Sequence, residues 1–156
     1  KKVQKMLDNA GAEVRSISHQ MLPKELEQFG LVPAIEGMLN LHFENSPIKA
    51  NFEYSGFDVR IGTAVELALF RVLQELVSNV IKHSKASQLT VQLIRLKTHV
   101  MMNVSDNGIG FDVENNQKNG IGLLSIASRI DAIKGNLRYE SSAGNGTTVI
   151  IRTPLS

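Results

Sequence analysis

Apolar residues recur at helical spacing in four stretches of the chain and alternate with polar ones in five others. Val3, Met6, Leu7, Ala10, Val14, Ile17 and Met21 define one face of a first helix, weakened in the middle by Gly11. Pro23 ends or kinks it, and Leu26, Phe29 and Leu31 form a short connector that turns at Gly30. Pro33 suits the first turn of a second helix running to about Asn45, with Ile35, Met38, Leu39 and His42 or Phe43 inward. Ile48, Ala50, Phe52 and Tyr54 then alternate as a strand, and Ser55-Gly56-Phe57-Asp58 turns the chain.

The central helix begins at Thr63-Ala64-Val65-Glu66, which has the form of a capping box, and runs to about Ser84. Leu69, Val72, Leu73, Leu76 and Val80 make its apolar stripe, while Glu75, Asn79 and Lys82 project together at the rim of that stripe. Lys82 and His83 also lie where a helix dipole favours cations, and Arg71, one turn before Glu75, is placed for an ion pair with it.

Two strands follow, Leu89-Val91-Leu93-Leu96 and Val100-Met102-Val104, joined at Lys97-Thr98-His99, with Met101-Met102 expected in the core. The second strand runs into Ser105-Asp106-Asn107-Gly108-Ile109-Gly110-Phe111, and residues 112–119 are polar without an apolar period, a mobile lid by their position. Gly120-Ile121-Gly122 opens a helix whose expected inner face is Leu123, Leu124, Ala127, Ile130 and Ile133, terminated by Gly135. Leu137 and Tyr139 belong to a strand, residues 142–146 turn, and residues 147–153 form the last strand.

Composition changes this picture little. A chain of 156 residues forms one domain that buries roughly 70% of its unfolded surface. Hydrophobic residues at 42% and charged residues at 21% are globular values, and no apolar run is long enough to cross a bilayer. A net charge of +2 from scattered basic residues gives no nucleic-acid footprint. The lack of cysteine removes disulfides and thiolate metal sites; no leader marks export, and the start at Lys1-Lys2-Val3 suggests a piece of a longer protein.

The chemistry lies in the polar row and the two glycine pairs. Gly108 and Gly110 would let the backbone pass close to a flat ring, and the N–H groups at the helix start near Gly122 could take up phosphate oxygens. Asp106, at a strand end, can accept from the exocyclic amine of adenine, whereas guanine presents a carbonyl oxygen there. Asn79 offers a neutral oxygen to Mg²⁺, which keeps several waters beside phosphates. The rim of the central helix is thus expected to hold a magnesium nucleotide, ATP in preference to GTP.

Glu75 to Asn79, Asp106 to Gly110, Gly120 to Gly122 and Gly144-Asn145-Gly146-Thr147 resemble the N, G1, G2 and final Gly-Thr boxes of an ATP-binding fold. That fold is shared by sensor histidine kinases, gyrase, the ninety-kilodalton heat-shock chaperone and the MutL proteins. The stretch from Arg71 to Ser84 is similar to the nitrate-sensor type of two-component histidine kinase, and the short lid and the helix from Gly122 to Ile130 fit the same subfamily. The resemblance implies an α/β two-layer sandwich, a mixed and largely antiparallel sheet with helices on one face. Residues 1–30 would be the end of a dimerisation hairpin with its connector, and residues 31–156 the catalytic ATP-binding domain.

Residue by residue, the resemblance implies adenine recognition by Asp106 with Gly108, Gly110 and Thr147 around the base. It implies Mg²⁺ coordination by Asn79, and phosphate contacts from Lys82, His83 and the Gly120-Ile121-Gly122-Leu123 backbone. Glu75 would orient and polarise the histidine that attacks the γ-phosphate, with Mg²⁺ and Lys82 supplying charge. The implied partners are a response-regulator receiver domain and a second copy in the full-length kinase, with no nucleic acid and no membrane contact by this part; the implied location is cytoplasmic. His19 is not expected to be the phosphoacceptor: Gln20 follows it, Pro23 ends its helix, and no second hairpin helix fits before the ATP domain. The true acceptor would lie upstream, so this chain would bind ATP without phosphorylating itself. Two other readings are a non-catalytic ATP-sensing or regulator-binding module and a gyrase-like or chaperone-like ATPase that uses water.

Overall fold

The structure, a computed structural model, describes residues 23–113 and 121–156. The expected helix over residues 2–21 with His19, and the lid residues 114–119 with Gly120, lie outside that set.

Helix α1 (Lys24–Phe29) makes the connector helical, and α2 (Leu31–Phe43) follows directly after Gly30. Leu31, Ala34, Ile35, Met38, Leu39 and Phe43 face inward on α2, and His42 is exposed. Strand β1 (Lys49–Ser55) leads to α3 (Thr63–Asn79), then β2 (Gln88–Arg95), β3 (His99–Asp106), α4 (Ile121–Ala132), β4 (Asn136–Ser141) and β5 (Thr147–Pro154).

The strands form one sheet in the order β1-β2-β3-β5-β4. Among the described strands only β1 and β2 run parallel, and α3 is the crossover that such a pair requires. The other three pairings are antiparallel. Leu69, Val72, Leu73, Leu76 and Val80 are all buried, as their spacing predicts, among Leu89, Val91, Leu93, Val100, Met102, Val104, Val149 and Ile151 from one sheet face. Burial of each such side chain contributes about 1.5–3 kcal/mol, so this layer holds the polar rim of α3 against the ends of β3 and β5. The two-layer sandwich with a mixed sheet is the expected fold.

Several local expectations are corrected. Met101 and Met102 alternate, so Met102 is fully buried and Met101 only half-buried on the opposite face. On α4 Ile126 and Ile130 are buried, while Leu124 is 58% exposed. Gly135 is not the left-handed residue after α4: Lys134 takes that conformation at φ 59°, and the Gly135 N–H closes on Ile130 O at 2.9 Å.

The capping box at α3 is not formed, because Glu66 has another task. Gly62 is the cap residue, without a side-chain bond, and the Glu66 carboxylate turns away to Arg60, with Nη2 at 2.7 Å and Nε at 3.3 Å. The same carboxylate accepts the Leu31 N–H at 3.2 Å, a group at the start of α2 with no partner within its own helix. Arg60 also donates to Leu26 O and Glu27 O, both at 2.9 Å, so one ion pair ties α1, α2 and α3 together.

Candidate functional site

The row on α3 does not end as a plain α-helix. After Asn79 the chain widens into one π-helical turn, Val80–Ser84, which Lys85 terminates at φ 54°. The Ser84 hydroxyl donates to Val80 O at 2.7 Å and accepts from Ala86 N at 3.0 Å. The turn leaves Lys82 and His83 exposed at the mouth of a cavity, a placement typical of π-turns at functional positions.

That cavity is about 630 Å³. Its α3 side carries Glu75, Asn79, Lys82 and His83, and the facing wall carries Asp106, Gly110, Gly122, Leu123 and Thr147. Nine of the twelve sequence-derived site residues therefore meet in one space. Ile121 opens α4, Gly120 lies outside the described residues, and Gly108 is not on the wall. The volume lies within the range of small-molecule pockets.

Gly108 and Gly110 bring the loop close against protein backbone. A Cβ on Gly108 would come within 2.2 Å of Ser84 O, which accepts the Ile109 N–H at 2.7 Å. Gly110 has φ 68°, and a Cβ there would lie 2.1 Å from Ser142 O. The loop is thus clamped between the end of the π-turn and the β4–β5 turn. Asn107 reinforces it, its Oδ1 accepting Ser87 N–H and Gln88 N–H, both at 2.9 Å.

This clamp aims Asp106. Its Oδ1 accepts the Gly108 N–H at 2.8 Å. Burial pushes the Asp106 carboxyl above its ordinary value, and the backbone N–H groups of Gly108 and Thr147 oppose that shift. On the α4 side, a Cβ on Gly122 would come within 2.5 Å of Glu75 Oε1, so the Glu75 carboxylate lies against the first turn of α4. Arg71, expected to pair with Glu75, donates to Gln74 Oε1 at 3.0 Å, and its pKa is lowered by burial and then by the nearby charge of Arg129.

Three functional positions escaped the sequence. Phe111 and Tyr139 line the cavity with their rings edge-on at a 6.1 Å centroid separation, forming its apolar end with Val104 and Val149. Ser141 holds the loops together: its hydroxyl accepts the Phe111 N–H at 2.9 Å, donates to Gly146 O at 2.9 Å, and lies 2.9 Å from Thr147 Oγ1. Alternation marks such residues only as strand positions, and the clue that they surround a site is the nearby glycine boxes.

Residues 64–156 match the family model of histidine kinase-, DNA gyrase B- and HSP90-like ATPases. The chain belongs to this family. The chain is 33% identical over 154 residues to the signal transduction histidine-protein kinase/phosphatase DegS of Brevibacillus brevis, covering 99% of this chain and 40% of that protein. It is 32% identical over 134 residues to sensor histidine kinase ComP of Bacillus subtilis, covering 85% and 17%. Across these and three similar relatives the chain spans only 17–42% of the other protein's length. The fold is that of the catalytic domain of histidine kinase ThkA, with a TM-score of 0.66, 22% identity, and 80% and 90% of the two chains covered. The Acinetobacter baumannii histidine kinase AdeS gives 0.71 at 16% identity, covering 99% and 84%.

The cavity fits the nucleotide of an ATPase family. It has an apolar end for a base, a carboxylate beside that end, and cationic Lys82 at its mouth. No group of three or more metal-binding side chains occurs among the described residues. Asn79 on the cavity wall is a neutral oxygen donor of the kind that can join phosphates and water around Mg²⁺.

Proposed function

We propose that this chain is the ATP-binding catalytic domain of a sensor histidine kinase, and that it presents the γ-phosphate of Mg·ATP to a histidine outside the ATP domain. The observation that carries this reading is the convergence of Glu75, Asn79 and Lys82 with Asp106 and the α4 N-terminus on one cavity. Asp106 accepts from the adenine amine, while Thr147, tied to Ser141, and Gly110 hold the loop beside the base. Lys82 and His83 at the mouth, with the N–H groups of the first turn of α4 at Ile121, Gly122 and Leu123, take phosphate oxygens.

Asn79 would hold Mg²⁺ through its side-chain oxygen, and the ion supplies charge neutralisation on the phosphates when bound. Glu75, lying against Gly122, orients and polarises the incoming imidazole. Transfer then depends on positioning and charge more than on proton removal. Relay to the aspartate of a response-regulator receiver domain, pairing with a second copy in the full-length kinase, and a cytoplasmic location belong to the same proposal. So does the placing of the acceptor upstream of this chain, with residues 1–30 as hairpin and connector. Among the described residues no helix is long and apolar enough to cross a membrane.

The test uses γ-labelled Mg·ATP on this chain and on the full-length protein. Acid-labile label on a histidine of the full-length protein, absent from this chain and lost in Glu75→Gln, is the expected result. Free phosphate without labelled protein would favour the water-using ATPase, binding without either product would favour a sensing module, and label on His19 would overturn the placing of the acceptor.

A further inference from the structure

The Ser141 hydroxyl has three partners, each at 2.9 Å: Gly146 O, the Phe111 N–H and Thr147 Oγ1. A hydroxyl has one proton and two lone pairs, so these three fill its capacity. The Gly146 carbonyl can only accept and takes the proton, and the Phe111 N–H takes one lone pair. Only the second lone pair is left for Thr147, so the Thr147 hydroxyl is the donor in that pair. Any other direction of its proton would set two lone pairs against each other at 2.9 Å. The Thr147 proton is therefore turned toward β4, and its acceptor sites are left for the cavity that this residue lines.

Asp106 is the residue opposite Thr147 on β3, and Ser141 the residue opposite it on β4. Asp106 and Thr147 both line the cavity, while Ser141 stands behind them, off its wall. Side chains opposite each other on antiparallel strands start about 4.5–5.5 Å apart. Two acceptors that take the two N–H groups of one amine at ordinary hydrogen-bond length are separated by about 5 Å. The exocyclic amine is the only N–H donor of adenine, the ring nitrogens N3 and N7 being acceptors.

We propose that Ser141 is a positioning residue for base recognition: by fixing the Thr147 hydroxyl as an acceptor, it lets Asp106 and Thr147 take the two N–H groups of the adenine amine between them. Without the Ser141 hydroxyl, the Thr147 proton is free to turn into the cavity, against an amine N–H. This inference rests on the nucleotide reading and adds to it a residue that does not touch the base.

The test is calorimetric titration with ATP and with purine riboside triphosphate, which lacks the amine, on this chain, Thr147→Val, Ser141→Ala and the double variant. Thr147→Val and Ser141→Ala are each expected to bind ATP about 3–10-fold more weakly, and the double variant no more weakly than Thr147→Val. Both single variants should bind the amine-free analogue as the wild type does, and Ser141→Thr, which keeps the hydroxyl, should bind ATP as the wild type does. Ser141→Ala should melt at a lower temperature, since the Phe111 N–H and Gly146 O lose their partner, so the titrations are run well below its transition. Should it not fold, Ser141→Cys, whose thiol is a weaker acceptor, should show a smaller loss confined to ATP. Wild-type ATP affinity in Thr147→Val, equal wild-type affinity for ATP and the analogue, or losses in the double variant that add would overturn the inference. So would a parallel loss for both nucleotides in Ser141→Ala, or in Ser141→Cys where it stands in, the mark of a merely structural role. Each of these leaves nucleotide binding intact, whereas no binding of either nucleotide by the wild type would overturn the nucleotide reading itself, and this inference with it.

Discussion

The Glu75 carboxylate rests against Gly122, close enough that a methyl group there would meet Oε1 at 2.5 Å. The two boxes that carry these residues, far apart in the chain, are therefore in direct steric register. Gly122→Ala should fold normally, because alanine favours a helix by up to about 1 kcal/mol over glycine and the displaced group is the end of a flexible side chain. Phosphoryl transfer in the full-length protein should fall by up to about 10²-fold, since a positioned group moved by an ångström loses that much. Gly110→Ala is the contrast: its Cβ would meet the Ser142 backbone at 2.1 Å, so its melting temperature should drop. Melting curves and labelled-phosphate assays on both variants separate the two effects.

Asp106 sets the base preference and its pH dependence. Its folded pKa is raised by burial, so the folded protein holds this proton more tightly than the unfolded chain does. Stability from this group is fully present below the unfolded value and is lost as pH rises through the folded one. ATP affinity has the opposite slope, falling as pH drops through the raised value, because the base amine needs the carboxylate form. Asp106→Asn keeps an oxygen for the Gly108 N–H and can turn an amide N–H₂ toward the base. It should weaken ATP, strengthen GTP, and flatten the acid limb, as read by titrations with both nucleotides across pH.

Glu66 belongs to stability rather than chemistry. Removing its carboxylate in Glu66→Ala leaves the buried Leu31 N–H without its acceptor at 3.2 Å, at a cost of about 1–3 kcal/mol. Arg60 would also lose the partner that holds it beside the end of α1. Denaturant unfolding should show the loss, while ATP affinity measured well below the transition should stay near wild type.

The sequence disclosed the elements whose signals are local and strong. The stripe from Leu69 to Val80 and the alternation in β2 and β3 both depend on period, and each is where expected. What was hidden depends on distant partners. Thr63 and Glu66 have capping-box spacing, yet Arg60 and Leu31 claim the carboxylate. Leu124 and Ile126 are equally apolar, and only packing of α4 decides that Ile126 is the buried one. Tyr139 reads as one more strand aromatic until the sheet order places β4 beside β5 and its hydroxyl has no partner. The π-turn after Asn79 has no periodic signature, although it carries two of the cations at the cavity mouth.

Titration of Mg·ATP into this chain and into Asp106→Ala by calorimetry, with melting curves to confirm that both are folded, bears most directly on the nucleotide site. The wild type should bind with measurable heat and the variant at least about tenfold more weakly, the loss of roughly 1.4 kcal/mol that one charge-assisted hydrogen bond supplies. Equal affinities, or no binding to either folded protein, would contradict the assignment of this cavity to ATP.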